Sequence, residues 1–364
     1  MEIFIAVLLL LVGIALIVKG GDFFVDAASW IAEASGLPPL LIGATVVSVA
    51  TTLPELIVSI IATASGSVEI AVGNAVGSVV ANLGLIMAIS LFFMPGKVDR
   101  KEYAFKSTVL VVAVLDLFLV CMFGGMQGDN HTLNVGLGMI VFQLFFLFVG
   151  ENVMTALKTL KSPVANGLTP DSKGENLHMT VEGGAPSEEA LSIAEAQGEE
   201  SESTSGVKKD KKTVIINILK FIGGAAGIVG GAKLLVANGQ KLALLAGVPE
   251  GIIAVTLVAI GTSLPELVTT ITAIVKKKSS ISVGNIIGAN ILDITMILPI
   301  CAMVAGGNLI VPKNALLLDI PFCLGLSLIG VVPMLIKKKF YRWQGIALFI
   351  VYAAYLALRV IFTA

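Results

Sequence analysis

The sequence predicts an all-α polytopic membrane protein with ten transmembrane helices. They are arranged as two inverted five-helix repeats, with helices two and seven interrupted. Composition, the spacing of apolar windows and a duplicated polar motif predict this. Of 364 residues, 56% are hydrophobic and 13% charged, about half the charged share of a soluble protein. Mean hydropathy is +0.96. A net charge of −1 offers no basic face for nucleic acid, and the apolar excess points to a lipid bilayer as the surroundings.

Bilayer-length windows of about 20 residues fall near 3–19, 39–63, 70–93, 105–125, 133–155, 214–237, 249–274, 281–304, 314–335 and 343–362. In the first, Glu2 precedes the apolar run and Lys19 follows it. This reverses the charge order of a signal peptide, so the segment reads as a helix. Windows two, three, seven and eight are rich in Gly, Thr, Ser and Asn and do not face lipid all round.

The short connections set the orientation. Lys97, Arg100, Lys101 and Lys106 follow helix three, Lys276, Lys277 and Lys278 follow helix seven, and Lys337, Lys338, Lys339 and Arg342 follow helix nine. The loops after helices two and four carry no Lys or Arg, and the one after helix eight carries only Lys313. The loop after helix six is least clean, with Lys241 and Lys233 near it. Basic loops mark the cytosolic side. Both termini are therefore predicted outside a cell (plasma or inner) membrane.

The chain divides into an N-terminal five-helix repeat, 1–160, a polar loop, 161–212, and a C-terminal repeat, 213–364. Between 165 and 206 the loop carries nine acids against Lys173, then KKDKK at 208–212. Such a composition predicts a disordered cytosolic linker, and it lacks the glycine-bearing loop of a calcium sensor. Cys121, Cys301 and Cys323 fall in apolar segments without metal-ligand spacing, and His131 and His178 fall in polar loops. No zinc or copper site and no His- or Cys-based hydrolase follows from them. No cofactor is implied, and no oligomer is required.

The segment ATVVSVATTLPELIVS (44–59) recurs as VTLVAIGTSLPELVTT (255–270), and VGNAVGSVVANLGLI (72–86) recurs as VGNIIGANILDITMI (283–297). Glu55 and Glu266, Asn82 and Asp293, Gly73 and Gly284, and Gly77 and Gly288 all share one offset of 211 residues. One gapless offset through two motifs is an internal duplication, with its copies near 40–92 and 250–303. Helix seven is the fifth crossing on from helix two, an odd step, so the copies run in opposite directions. Inverted repeats of interrupted helices are a transporter architecture, with the site at the repeat interface.

The local chemistry suits a cation. Pro54 and Pro265 have no N–H to offer Ala50 and Gly261, which frees those carbonyls. By i+3 and i+4 spacing, Ser48, Thr51, Thr52, Glu55 and Ser59 share a helix face, as do Asn74, Ser78 and Asn82. The second copy offers Thr262, Ser263, Glu266 and Thr270, then Asn285 and Asp293, with Ala289 between them. Together these make an all-oxygen set with three carboxylates, Glu55, Glu266 and Asp293, of the kind that hard cations such as Ca²⁺ take. An ordinary ion pair would need a Lys or Arg in helices two, three, seven or eight, and none is there. Asp116 and Asp319 lie outside both motifs and read as acids that sit near a helix end or hold a neighbour rather than bind transported ions.

The paired copies resemble the alpha-repeats of the cation/calcium antiporter superfamily, in its sodium/calcium exchanger branch. The resemblance covers the ten-helix plan and both motifs. It implies exchange of Ca²⁺ for Na⁺ by alternating access, with two outer helices sliding over an ion-holding core. By position, Glu55 and Glu266 would be the central calcium ligands, with the carbonyls of Thr51 and Thr262, and Asn82 and Asp293 would flank them. Sodium would use Ser78, Ser263 and the Ala259 carbonyl on one side, and Thr52, Ala289 and the Ser48 carbonyl on the other. The family has serine where Thr52 and Ala289 stand, and GSN where this chain has GSV at 77–79. Threonine keeps a hydroxyl and Ala289 does not, which leaves Ca²⁺/H⁺ antiport as the alternative. A cation channel fits an inverted repeat less well.

Overall fold

The computed structural model describes residues 2–161, 210–245 and 263–363. They form α1 (Glu2–Ser35), α2 (Pro39–Ala64), α3 (Val68–Phe93), α4 (Arg100–Phe123) and α5 (Val135–Lys161). After residue 210 come α6 (Lys211–Leu245), α7 (Leu264–Val275), α8 (Ser279–Val304), α9 (Ala315–Lys337) and α10 (Arg342–Thr363). All ten windows meet a helix. The first part of window seven, and the loop over 162–209 with its predicted disorder, lie outside the described residues.

Two helices outrun their apolar windows. α1 continues through Asp22, Asp26 and Glu33 because nothing breaks it before Gly36, whose φ of +71° ends it. At 34 residues it rises about 50 Å, well past a hydrocarbon core of about 30 Å. At the start of α6, Asp210 accepts from Thr213 Oγ1 at 2.6 Å, which holds its carboxyl below the usual range. Lys106 is not the loop charge it seemed. It lies inside α4, is buried, and pairs with Glu151 of α5 at 3.4 Å.

Among the described residues, five short strands lie in the connections: β1 (Gly96–Lys97), β2 (Met126–Gln127), β3 (Asn130–Asn134), β4 (Asn308–Val311) and β5 (Lys339–Phe340). β1 pairs antiparallel with β5, Gly96 opposite Phe340. β3 pairs antiparallel with β2 and with β4, Thr132 opposite Ile310. The connections after α3 and α9 thus share a face, and those after α4 and α8 share a face. Each pairing needs an even number of crossings between its strands. α7 is the fifth helix on from α2, so the two copies run antiparallel.

α3 and α8 are the most enclosed helices, with 72% and 83% of their most apolar stretch buried. α8 lies directly against α2. A Cβ added at Gly284 would stand 2.6 Å from the Leu40 carbonyl oxygen, and one at Gly288 would stand 2.5 Å from that of Ala44. Only glycine permits this approach. α1 and α6 pack chiefly on each other.

Candidate ion-binding site

α2 presents the face that its spacing predicts. Ser48, Thr51, Thr52, Glu55 and Ser59 are buried, while Val49, Leu53, Ile57 and Ile61 are exposed. The interruption expected of helix two takes the form of a π-helical stretch, Gly43–Val47, just before this face. Pro54 itself stays within the helix. It leaves the Ala50 carbonyl without its helical donor. In the second copy Pro265 occupies the first turn of α7, with Ser263 just before it and Glu266 buried one residue beyond.

α3 and α8 supply the other walls. Ser78 and Asn82 on α3, and Asn285, Ala289 and Asp293 on α8, are all buried. Asn82 opens one π-helical stretch, Asn82–Met87, and Asp293 opens another, Asp293–Ile297. Those two positions are 211 residues apart, so the backbone irregularity repeats with the sequence. π-Helical turns of this kind often mark functional positions.

The helices bring the three carboxylates together. Glu55 is within electrostatic reach of Glu266 and Asp293, and Asp293 of Glu266. Thr51 Oγ1 lies 3.2 Å from Asn285 Oδ1. Asn74 Nδ2 donates to the Glu55 carbonyl at 3.2 Å and to Ser59 Oγ at 3.0 Å.

The distinctive feature is what these oxygens lack. Glu55 Oε1 and Oε2, Glu266 Oε2, Asp293 Oδ1, Asn82 Oδ1, Ser78 Oγ, Thr52 Oγ1 and Ser263 Oγ are buried without a hydrogen-bond partner among the described residues. Native proteins rarely tolerate such atoms. None of the ion pairs among the described residues involves Glu55, Glu266 or Asp293. Nor do three acidic, His or Cys side chains converge there tightly enough to hold a metal alone. The donor set is therefore mixed: carboxylates supply charge, and hydroxyls, amides and carbonyls complete the shell, as a hard cation prefers.

Thr262 and Ala259 lie outside the described residues. Of the other residues predicted as ligands, Ser48, Thr51, Thr52, Glu55, Ser78, Asn82, Ser263, Glu266 and Asp293 are all buried. Asp319, set apart from the site by its sequence, holds a neighbour as expected. It accepts from Tyr355 Oη at 3.1 Å and pairs with Arg359 at 3.5 Å. Asp116 is half-buried on α4. Sequence reasoning missed Asn290, which is fully buried with both amide atoms unpaired among the described residues. The signal was present in the asparagine of GAN at 288–290, where the first copy has valine.

Comparison with known proteins agrees with this geometry. The family described as sodium/calcium exchanger protein matches residues 5–153 and 216–361. The chain is 31% identical to the sodium/calcium exchanger MaX1 of Methanosarcina acetivorans, over 96% of this chain and 97% of that one. It is 30% identical to the inner membrane protein YrbG of Escherichia coli, over 84% of this chain and 81% of that one. Among solved structures, the sodium-calcium exchanger NCX_Mj soaked with 10 mM Na⁺ and zero Ca²⁺ superposes with a TM-score of 0.74 at 26% identity, covering 98% of this chain and 99% of that one. The chain is a multi-pass membrane antiporter and belongs to the sodium/calcium exchanger family.

Proposed function

We propose that this protein exchanges Ca²⁺ for Na⁺ by alternating access at the α2–α3–α7–α8 centre. The observation that carries the reading is the set of buried, unpartnered oxygens around three carboxylates with no cationic side chain among them. Uncompensated charge there is costly, so the centre is filled by one Ca²⁺, by several Na⁺, or by protons. Shared ligands make the occupants mutually exclusive, and that exclusion couples their fluxes.

In this reading Glu55 and Glu266 bind calcium centrally with the Thr51 and Thr262 carbonyls, flanked by Asn82 and Asp293. Ser78, Ser263 and the Ala259 carbonyl form one sodium side, and Thr52 and the Ser48 carbonyl form the other. The halves 1–160 and 213–364 build this centre together and the two outer helices slide over it, with the 161–212 loop cytosolic and both termini outside. No cofactor takes part, and one copy of the chain suffices.

One observation favours a second reading, Ca²⁺/H⁺ antiport. Ala289 brings a methyl group where a hydroxyl would complete the Thr52 side, and Thr52 Oγ1 has no partner among the described residues. Calcium-loaded vesicles carrying the purified protein separate the two. An imposed Na⁺ gradient should drive calcium release while a pH gradient alone does not. Release on the pH gradient alone would establish the second reading.

A further inference from the structure

Where α2 and α4 begin and α5 nears its end, a cavity of about 190 Å³ lies among the three helices. Its lining is divided. Leu40 and Leu41 of α2 make an apolar wall, while Lys101, Glu102, Lys106 and Glu151 place two cations and two carboxylates around the rest. The cavity is therefore charge-balanced, polar on one side and apolar on the other.

Lys106 is the informative residue. It stands six residues into α4, a rise of about 9 Å, close enough to the helix end for a lysine to snorkel outward. Instead its side chain is 4% exposed and turns to Glu151. The Nζ–Oε2 distance is 3.4 Å, well beyond the roughly 2.8 Å of a charge-assisted bond. Glu151 Oε1 meanwhile accepts from Thr155 Oγ1 at 2.8 Å. Glu151 is the one partner of Lys106 Nζ among the described residues. An ammonium carries three donors, so two remain, on a buried charge that borders the cavity.

A ligand for this lining must satisfy both cations and both carboxylates and accept the leucine wall. A phosphodiester joined to a primary amine does so. Its oxygens accept from Lys101 and Lys106, and its N–H groups donate to the carboxylates. A quaternary amine cannot donate, and the lining holds no aromatic ring of the kind that recognises one. A headgroup with negative charge alone would face two carboxylates. The surroundings favour a lipid over a solute: Val153, Met154 and Leu157, interleaved on α5 with Glu151 and Thr155, are exposed apolar side chains suited to acyl chains.

We propose that this cavity binds the headgroup of an ethanolamine-type phospholipid, with the phosphate between Lys101 and Lys106 and the amine at Glu151. The test is native mass spectrometry of the full-length protein in detergent, titrated with dioleoyl phosphatidylethanolamine, phosphatidylcholine or phosphatidylglycerol. One phosphatidylethanolamine should be retained per chain at about tenfold lower concentration than either other lipid, the worth of one hydrogen bond to a charged group. Two variants, checked for folding by thermal unfolding, should each cut that preference at least about threefold. One is Lys101→Ala, at an exposed position. The other is Lys106→Gln with Glu151→Gln, which leaves no unpaired buried charge. Equal retention of the three lipids, tighter retention of phosphatidylglycerol, or an unchanged preference in either folded variant would overturn the proposal. So would displacement of the lipid by free phosphoethanolamine at the lipid's own half-saturating concentration, which would make the ligand a solute.

Discussion

α3 and α8 on one hand, and α1 and α6 on the other, are all apolar enough to cross a bilayer, yet they are enclosed to very different degrees. The most apolar stretches of α1 and α6 are only 22% and 17% buried, against more than two thirds for α3 and α8. Both pairs rely on glycine. In the α1–α6 seam, a Cβ at Gly20 would lie 2.8 Å from the Gly224 carbonyl oxygen, and one at Gly231 would lie 2.6 Å from that of Gly13. In α8 the glycines bring a helix with Asn and Asp side chains against α2; in the seam they join two helices that carry none of the predicted ligands.

The outer pair is linked to the rest at one end. Lys276, just past α7, pairs with Asp26 at 2.6 Å and Asp22 at 3.4 Å, and Lys278 pairs with Glu33 at 3.6 Å. The difference teaches that hydropathy does not locate function here. What separates the pairs is whether small residues bring oxygen ligands together or bring two lipid-facing backbones together.

The largest expected effect tests the ligand side of this contrast. Glu55→Gln or Glu266→Gln should lower calcium exchange in proteoliposomes by about a hundredfold or more, as removal of a buried charge that the cargo must meet. Near-normal flux in either variant would break the assignment. Gly288→Ala should come next. Its methyl meets the Ala44 carbonyl and Ser48 Oγ, which should cost about 1–3 kcal/mol as overpacking, lower the Tm and weaken calcium binding. Gly150→Ala, with nothing within 4 Å, is the matched control and should do neither.

Gly224→Val probes the seam. It should destabilise by a similar amount, about 1–3 kcal/mol, but slow turnover while leaving half-saturating Ca²⁺ within about twofold, since no ligand stands on α6. A shift in affinity as large as that of Gly288→Ala would erase the distinction between the pairs. The smallest effect belongs to Lys276→Ala. Its ion pairs are partly exposed, so a loss below about 1 kcal/mol is expected, fading further in high salt. A salt-independent loss in thermal unfolding would mean that the link is more than electrostatic.

Much of this was legible in the sequence because two signals survive without coordinates. Apolar length marks a crossing, and the 211-residue offset ties Glu55 to Glu266 and Asn82 to Asp293. Other features left no such trace. The length of α1 was hidden because Asp22, Asp26 and Glu33 end an apolar window without ending a helix. Lys106 read as a topology charge because its partner, Glu151, is 45 residues away. The π-helical stretches at Gly43, Asn82 and Asp293 have no composition of their own. Asn285 and Asn74 look equivalent in sequence, yet Asn74 bonds within its own copy while Asn285 meets Thr51 of the other.

The small strand pairs have a consequence for how the molecule comes to be. Gly96 finds its partner, Phe340, 244 residues later, and β3 likewise waits for β4. At synthesis rates of about 5–20 residues per second, the first half sits in the membrane on the order of tens of seconds before either clasp can close. Through that interval Glu55 and Asn82 wait for their counterparts. Assembly is therefore gated by the arrival of the second half, and the clasps at both surfaces close only once the ion centre can be whole.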